Sequence, residues 1–538
     1  MRAGAHRLAL TRRALLTGVG CSTIALGAAD RRAQAASIVG GTVFHDRSGT
    51  GRRRAGDSGI ASVMVSNGRD VVRTDADGRW RLPIADGDTV FVIKPPHWTT
   101  PVAGSLPRFS SSYMYTPTDA DLERGAVGPG HCQVDFPLTP APEQAQFEAL
   151  LFADTQPANS TELTYLRDDI VAAATGLGAA FGINHGDVVF DAHELYPDYL
   201  RVLGASGIAW HHCPGNHDID YDARHDSRSR DTWKGVFGAR NYAFQYAGAT
   251  FILLDNVYYT GCDNAGNPGS YCGRIGPDQL QFVRNVLANV PPDGLVVVSM
   301  HIPLTTYQDA TSAADNTRDR CALLEVLSSH PHTVSFSGHM HATEHHYLGP
   351  NEGFRAARPH HHHVLTAASG GWWGGPKDGR GIPTAESPDG NPNGFHVLTV
   401  DGRHYATRFV PAPGKTAAQM RALIEGPCVR QPDGRFRTAD LRACHIIANV
   451  FDGGPLTRVT WEVAGREAPQ SMARLSAPDP FVAQKPWARP VPSSHLWKAP
   501  LPDLLPGEHR INVRAVDEYG RTHSASLVLD VTNELAPA

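Results

Sequence analysis

The sequence has few cysteines, no excess of charge of one sign and no apolar run long enough to cross a membrane. Eight cysteines among 538 residues are too few for a fold held together by disulfides. With 49 basic and 54 acidic residues, the net charge is −5, so no strong field attracts the chain to nucleic acid. Beyond the N-terminus, no stretch approaches the roughly 18 apolar residues of a transmembrane helix. These absences exclude a disulfide scaffold, a nucleic-acid-binding signature and a polytopic membrane protein.

The composition that remains is globular, with one anomaly. Hydrophobic residues make up 41%, charged residues 19% and aromatic residues 8% of the chain, which is an ordinary mixture. A length of 538 residues is several times that of a typical domain, so we expect more than one domain. The anomaly is the 27 histidines, many of which fall between residues 301 and 363.

The N-terminus has the features of an export signal. Arg12 and Arg13 form a twin-arginine pair, an uncharged stretch follows over residues 14–29, and Ala33-Gln34-Ala35 is a small-x-small cleavage site. The stretch is too short and too weakly apolar for a membrane anchor. A lipoprotein attached through Cys21 is the remaining alternative, although the residues before it lack the usual leucine. We therefore expect cleavage near Ala35 and export to the periplasm, cell envelope or medium.

Export allows disulfides to form, but the sequence leaves the pairing open. The cysteines of the mature chain are Cys132, Cys213, Cys262, Cys272, Cys321, Cys428 and Cys444. Cys262 and Cys272 bracket one loop and Cys428 and Cys444 bracket another, so both are candidate local pairs. The odd count leaves at least one thiol unpaired, and the absence of any CxxC gives no support for a zinc ribbon.

The pattern of strands and helices divides the mature chain into three regions. Residues 36–140 contain short β segments separated by Gly and Asp turns, which predicts a small β-sandwich. Residues 141–350 alternate apolar strands with helical patterns, which predicts an α/β domain with a buried sheet. Residues 351–538 return to a β pattern and predict a second β-rich accessory domain.

Metal-ligand residue types follow the ends of the apolar strands in the middle region. In chain order they are Asp154 with Gln156, Asp187, Asn216 with His217 and Asp218, His301, and His339 with His341. Because α/β folds place their sites at the carboxyl ends of strands, we expect these side chains to meet. Oxygen donors and imidazoles in this number suit two divalent ions about 3.5–4 Å apart that share one carboxylate. Such a pair activates water for attack on a phosphoester, while a histidine protonates the leaving group.

At these positions the sequence resembles the calcineurin-like metallophosphoesterase family, whose motifs are DxH, GD, GNH(D/E), H and GHxH. The resemblance covers the middle region, and the β-rich regions beside it look like the accessory domains of a secreted branch. It implies an α/β fold in which a β-sandwich is flanked by helices (α/β/β/α), with a small all-β domain on each side. It also implies a hydrolase that acts on phosphoester bonds.

The resemblance assigns the strand-end residues to two metal ions and an acid. The ligands of the first ion would be Asp154, Gln156, Asp187 and His341. The ligands of the second ion would be Asp187, Asn216, His301 and His339, so that Asp187 bridges the two. His217 would be the general acid, oriented by Asp218.

Gln156 departs from the family pattern, which has histidine at this position. A glutamine oxygen makes the first site three oxygens and one nitrogen, which favours Mn²⁺, and after it Mg²⁺ or iron, over Zn²⁺. In the alternative, Gln156 is a hydrogen-bonding neighbour and a water takes its place as ligand.

Four further features have two interpretations each. Asp191 is better explained as a helix N-terminal acid than as a contact of the site. The consecutive histidines at 360–363 are better explained as a surface run with incidental metal affinity than as phosphate contacts. His345 and His346 are best explained as one face of a loop. Trp372 and Trp373 lie in a glycine-rich loop, where they would either stack on a substrate ring or pack between domains.

Together these features predict an exported dinuclear metal-dependent phosphoesterase, with a bridging hydroxide as the nucleophile and a phosphomonoester as the favoured substrate. The alternatives are a phosphodiesterase or nucleotide pyrophosphohydrolase of the same fold. A third alternative, from another class, is a non-catalytic envelope protein whose β domains bind glycan or phosphate. The sequence gives no indication of oligomeric state.

Replacing Gln156 by histidine tests whether this side chain is a ligand. Because imidazole binds borderline metals more tightly than an amide oxygen does, Gln156→His should strengthen the first site and shift its preference toward Zn²⁺. Metal titrations of the purified protein measure both effects. Unchanged affinity and selectivity would mean that Gln156 does not bind the ion.

Overall fold

The computed structural model describes residues 37–101, 112–114, 133–413, 418–427, 434–466 and 468–533. The expected signal peptide at residues 1–35, with Cys21, and the cysteines Cys132 and Cys428 lie outside these residues. Within the described part of the chain, no helix is long and apolar enough to cross a membrane.

The N-terminal region is a sandwich of two small sheets, as its short β segments predict. Its strands are β1 Ser37–His45, β2 Met64–Ser66, β3 Val71–Arg73, β4 Arg79–Ile84, β5 Thr89–Ile93, β6 Trp98–Thr99, β7 Ser112–Met114 and β8 Phe136–Pro140. One sheet has the order β4-β1-β8-β6 and the other β3-β2-β5-β7. Val43, Val65, Val90 and Leu138 are fully buried in its core.

The middle of the chain forms a larger sandwich of two mixed sheets. Its strands are β9 Gln146–Phe152, β10 Phe181–His185, β11 Ala209–Cys213, β12 Tyr242–Tyr246, β13 Ala249–Leu253, β14 Val257–Tyr259, β15 Tyr271–Gly273, β16 Val296–Ser299, β17 Thr333–Ser337, β18 Glu344–Leu348, β19 His360–Val364, β20 Gly394–Asp401 and β21 His404–Pro411. The two sheets have the orders β11-β10-β9-β20-β21 and β12-β13-β16-β17-β19-β18, while β14 and β15 form a separate hairpin. The strands β9, β10 and β11 are parallel, and so are β13, β16, β17 and β19.

Helices cover the outer faces of these sheets and complete the expected α/β/β/α layers. The helical segments are Ser160–Tyr165, which continues through the π-helical Leu166–Val171 into Ala172–Ala174, then Tyr196–Gly204, Asp231–Phe237, Pro277–Leu287 and Arg320–Leu327. Phe181 and Leu398 of one sheet and Phe251 of the other meet in the core between the sheets. Buried helix residues such as Leu200 and Val283 pack in two separate outer cores. Each sheet is therefore apolar on both faces, which explains the continuous hydrophobic strands.

The four consecutive histidines do not form a surface run. Residues 360–363 lie in β19, between β17 and β18, and the side chains on both faces of this strand are buried. His345 and His346 belong to β18 and are equally buried, so their interpretation as a loop face is also wrong. Because histidine is polar, the sequence pattern did not indicate that these residues form a buried strand inside the sheet.

The C-terminal region is a third sandwich, and it begins later than the predicted boundary at residue 350. Strands β19, β20 and β21 complete the central sheets, so the central sandwich extends to Pro411. The strands that follow are β22 Met420–Glu425, β23 Phe436–Arg437, β24 His445–Val450, β25 Arg458–Val463, β26 Gln470–Ser471, β27 Ala473–Pro478, β28 Pro492–Pro500, β29 Gly507–Val516 and β30 Thr522–Thr532, with a short helix at Pro480–Ala483. They form sheets of order β22-β24-β28-β27 and β23-β30-β29-β25-β26.

The candidate pair of Cys262 and Cys272 is not formed. Both thiols are free, because Cys272 is held opposite Tyr258 in the β14–β15 hairpin while the Cys262 thiol donates to the carbonyl of Asp222 at 3.1 Å. Cys444 is in a disulfide, as the second candidate pair requires, although Cys428 lies outside the described residues.

A buried ion pair supports the loop that follows β11. Arg230 is completely buried, and its Nε and Nη2 each lie 3.2 Å from a carboxylate oxygen of Asp255. Its Nη1 donates to the carbonyl of Gly215 at 2.9 Å. Since a buried charge without its partner is strongly destabilising, this pair couples the fold to the position of the loop.

Removing Arg230 should therefore cost stability. We expect Arg230→Met to lower the free energy of unfolding by about 3 kcal/mol, the low end of the usual range, because Arg240 Nη1 still lies 3.5 Å from Asp255. Urea denaturation measures the change. Arg201→Met is the control: its side chain is 70% exposed beside Asp198, so the loss should stay below about 0.5 kcal/mol. Equal losses in the two variants would contradict this role.

Candidate metal centre

The predicted ligands come together in the loops that follow the parallel strands. Asp154 follows β9, Asp187 follows β10 and Asn216 follows β11, while His301 follows β16 and His339 follows β17 in the other sheet. Five of the seven predicted ligands adopt left-handed backbone with φ between 39° and 73°: Asp154, Gln156, Asp187, His339 and His341. For residues other than glycine this conformation costs about 1–3 kcal/mol each, and it is concentrated at functional sites.

The glycine of two motifs is required by close contact with a ligand. A Cβ at Gly215 would lie 2.1 Å from the Oδ1 atom of Asp187, and a Cβ at Gly338 would lie 2.4 Å from the Oδ2 atom of Asp154. Any larger residue would push the carboxylates out of place. These motifs therefore specify the packing of the loops as well as the ligands.

The four ligands expected for the second ion lie against one another. The Nε2 atom of His301 is 3.3 Å from Asp187 Oδ1, 2.9 Å from Asn216 Oδ1 and 3.2 Å from His339 Nδ1. The donor atoms of Asp187, His301 and His339 lie within 4.8 Å of one another, close enough to share one ion. The fold thus brings this predicted set together.

The residues expected for the first ion surround the other side of Asp187. The Gln156 Nε2 group donates to Asp187 Oδ2 at 2.8 Å, which leaves its Oε1 atom buried without a hydrogen-bond partner. The Nε2 atom of His341 lies 3.8 Å from Asp154 Oδ1. A buried orphan oxygen is costly unless something binds it, so the Gln156 side chain fits a metal ligand.

The charges of the site also fit cations. Burial raises the pKa of Asp154 to about 7, against the attraction of His301. Burial acts in the same direction on Asp187, but His301 and His217 hold its pKa well below the ordinary range. Burial lowers the pKa of His341 to about 4, so its ring is neutral. Buried carboxylates together with a neutral imidazole are the donor set that divalent ions require.

His217 lies beside this set without belonging to it. Its backbone N–H donates to Asp187 Oδ1 at 2.9 Å, its Nδ1 lies 2.9 Å from Asp191 Oδ1, and its ring stacks on Phe190 with centroids 4.3 Å apart. Burial would lower the pKa of His217, but the carboxylates of Asp187 and Asp191 raise it to about 9. The ring is therefore cationic at neutral pH.

The expected partner of His217 is wrong. Asp218 does not contact the His217 ring: its carboxylate accepts from the Tyr196 hydroxyl at 3.0 Å and from the backbone N–H groups of Gly215 and Val188 at 2.8 and 3.2 Å. Asp191 holds the ring instead, so its interpretation as a helix N-terminal acid is also wrong. Asp218 therefore shapes the loop, because its carboxylate binds the backbone of both Gly215 and Val188.

Three groups that orient the ligand rings carry no sequence signal. The Nε2 atom of His339 lies 3.3 Å from the Asp315 carboxylate. The Nδ1 atoms of His301 and His341 each lie 2.8 Å from a backbone carbonyl, of His185 and Gly370 respectively. Such partners set which ring nitrogen faces the ion. They could not be predicted from the sequence, because Asp315 belongs to no motif and every residue has a backbone carbonyl.

The two neighbouring tryptophans have different roles. Trp373 is only 5% exposed and donates its Nε1–H to the carbonyl of Thr155 at 3.0 Å, so the prediction that it binds substrate is wrong. Trp372 is 43% exposed and stacks on the ring of His341 with centroids 4.3 Å apart. It lines an open groove of about 240 Å³ together with Trp487 and Arg489 of the C-terminal region.

Asparagine at position 187 should weaken both halves of the centre. Asp187→Asn keeps the side-chain shape but removes the charge that two ions would share, so metal content should fall at both sites. Elemental analysis of purified protein measures it. Asp168→Asn, at a half-exposed carboxylate of the π-helical segment, should leave the metal content unchanged. Two fully retained ions in Asp187→Asn would contradict the bridging position.

Family models of known proteins match three parts of the chain. The family model described as calcineurin-like phosphoesterase matches residues 149–343. Models for the N-terminal and C-terminal parts of calcineurin-like phosphoesterase match residues 47–122 and 362–523. No curated protein matches the chain. Among solved structures, a purple acid phosphatase, PPD1, from yellow lupin (Lupinus luteus) seeds is 12% identical with a TM-score of 0.34, over 66% of this chain and 69% of that one.

The three family models follow one another along the chain: the first matches within the N-terminal region, the second covers the first part of the central sandwich, and the third runs from β19 of the central sandwich through most of the C-terminal region. The middle one contains every predicted ligand, from Asp154 to His341. The chain therefore belongs to the calcineurin-like phosphoesterase family: it is a phosphoester hydrolase whose fold implies a dinuclear metal centre.

Proposed function

We propose that this hydrolase is an exported phosphomonoesterase that works with two divalent ions. The observation that carries the proposal is the placement of His217. Its backbone N–H donates to Asp187, the carboxylate that would bridge the ions, and Asp191 holds its ring by Nδ1. A proton donor beside the bridging ligand is what a phosphoester with a poor leaving group requires.

The residues of the chain divide the work of hydrolysis. When bound, the two ions would supply a nucleophilic water and neutralise charge on the phosphoryl group. Asp191 occupies Nδ1 of His217 and thereby leaves Nε2 as the atom that donates a proton to the leaving oxygen. Phe190 stacks on the ring and limits its rotation. The alcohol then departs neutral instead of as an alkoxide.

The donor set favours manganese. Asp154, Gln156 and Asp187 offer three oxygens to the first ion against the single imidazole of His341. Oxygen-rich sites suit Mn²⁺ or Mg²⁺ better than Zn²⁺. A mixed pair with iron is the nearest alternative, and activity recovered with each metal after chelation distinguishes them.

The groove at Trp372 is the basis for proposing a substrate with a single organic group on its phosphate. It adjoins the centre through the stacked ring of His341 and offers the exposed faces of Trp372 and Trp487 with the charge of Arg489. Aromatic faces bind sugars, bases and other rings. One such group on the phosphate favours a monoester over a diester. A diesterase or nucleotide pyrophosphohydrolase would instead prefer bis(nitrophenyl) phosphate or a nucleoside polyphosphate, whereas family membership excludes the non-catalytic alternative.

Export rests on the N-terminal signal. Arg12 with Arg13 and the small-x-small sequence ending at Ala35 support cleavage before Ala36. N-terminal sequencing of protein recovered outside the cytoplasm should begin at Ala36. Retention of the whole chain inside the cell would contradict export.

Leaving-group dependence tests the role of His217. A general acid matters for an alkyl phosphate but little for nitrophenyl phosphate, because nitrophenolate departs without a proton. His217→Ala should therefore cost roughly 10²–10⁴ in rate on an alkyl phosphate and much less on the nitrophenyl ester, with metal content retained. Steady-state rates on the two substrates measure the difference.

Two further variants separate the acid from its surroundings. Asp191→Asn should give a smaller loss of the same kind, because the ring loses its charged partner. Asp168→Asn, whose half-exposed carboxylate pairs with Arg167, should affect neither substrate. Equal losses on both substrates in His217→Ala would refute the acid role, and loss of metal would make His217 a ligand.

A further inference from the structure

A second group of buried histidines lies outside the catalytic set. His345 of β18, His363 of β19 and His396 of β20 direct their Nε2 atoms at one oxygen, Asp452 Oδ1. The three distances are 3.3, 3.3 and 3.1 Å. Asp452 follows β24, so the group joins both sheets of the central sandwich to the C-terminal region. We call it the interdomain histidine cluster.

The cluster is buried and its hydrogen bonding is incomplete. The side chains of the three histidines are 0% exposed and that of Asp452 is 9% exposed. His345 and His396 make hydrogen bonds to Asp452 Oδ1. The two ring nitrogens of His363 and the second oxygen of Asp452, Oδ2, make no hydrogen bond. A purely structural network of buried polar groups is normally satisfied. His363 Nε2 faces Asp452 Oδ1 at 3.3 Å without forming a hydrogen bond, and His363 Nδ1 and Asp452 Oδ2 have no hydrogen-bond partner, so these atoms need another explanation.

The spacing of three of these atoms matches a zinc site. Zinc lies about 2.0–2.2 Å from nitrogen and carboxylate ligands, and in a tetrahedron this puts ligand atoms about 3.3–3.6 Å apart. Both histidine-to-carboxylate distances, from His345 and from His363 to Asp452 Oδ1, are 3.3 Å. The donor atoms of these three residues lie within 4.8 Å of one another. The two histidines are direct partners in the β18–β19 register, so the sheet itself sets their separation.

Outer partners of the kind that metal sites use are present. The other ring nitrogen of His345, Nδ1, lies 2.9 Å from His361 Nε2 and 3.5 Å from the Glu518 carboxylate. Glu518 in turn accepts from the Tyr347 hydroxyl. A carboxylate behind a histidine fixes the ring and increases its basicity as a ligand. The Nε2 atom of His396 lies 3.1 Å from the same Asp452 oxygen and fixes the position of the carboxylate.

We propose that His345, His363 and Asp452 bind a divalent metal ion of the zinc class that fastens the C-terminal region to the catalytic sandwich, with His396 positioning the carboxylate. Two nitrogens and one oxygen suit Zn²⁺ and differ from the oxygen-rich first site of the catalytic centre. The ion would be a permanent structural component, since three of the strands that surround it belong to the core of the fold. The proposal does not depend on the substrate or on the role of His217.

Stoichiometry in matched variants tests the proposal. Full-length protein is loaded with Zn²⁺, desalted and analysed for metal per chain. The wild type should retain one equivalent more than His363→Phe, which keeps a buried ring without a donor. The control is His360→Phe, on the same strand and equally buried, where the lost contacts are to Thr333 and Ser335 outside the cluster. It should retain the wild-type zinc content.

A second variant covers the case in which His363→Phe fails to fold. Asp452→Asn preserves shape and should weaken zinc binding by more than the roughly 10–100-fold expected for loss of an outer partner. Zinc should also raise the melting temperature of the wild type and of His360→Phe but not of Asp452→Asn. In Asp187→Asn, where the catalytic centre is weakened, Co²⁺ should still give the visible bands of a tetrahedral site. Equal zinc content and equal thermal response in the wild type and Asp452→Asn would overturn the proposal.

Discussion

The carboxylate of Asp187 is the point on which the site depends. Its Oδ1 accepts the backbone N–H of His217, its Oδ2 accepts the Gln156 amide, and the His301 ring lies 3.3 Å away. This arrangement is possible only because Gly215 packs directly against the carboxylate. The loops reach it through left-handed backbone, a strain that the rigid core between the two sheets can hold in place.

The C-terminal region is built into the catalytic sandwich rather than attached to it. The carboxylates of Asp452 and Glu518 contact the His345 ring of β18. Arg521 donates to the carbonyl of Thr407 in β21 at 2.6 Å. Trp487 reaches the groove beside the metal centre. The C-terminal region therefore both lines the groove at Trp372 and packs on the central sheets.

Most of the fold was predictable because buried parallel strands are continuous apolar runs, and β9, β10, β13, β16 and β17 all appear as such in the sequence. The strand β19 was not, since four consecutive histidines resemble a polar surface. The tertiary structure places this strand between β17 and β18 and covers both of its faces. The partner of His217 was missed for a similar reason: Asp218 is adjacent in sequence, but Asp191 is adjacent in space.

The sequence alone determined the identity and order of the candidate metal ligands, because each follows a strand and parallel strands end at one edge of a sheet. It also determined which glycines accompany them, because contacts as close as that of Gly338 with Asp154 admit no side chain. The orientation of the rings was decided only by the tertiary structure. Asp315, the carbonyl of Gly370 and the pairing of Asp452 with His345 come from distant parts of the chain, and no local pattern encodes a contact that only folding creates.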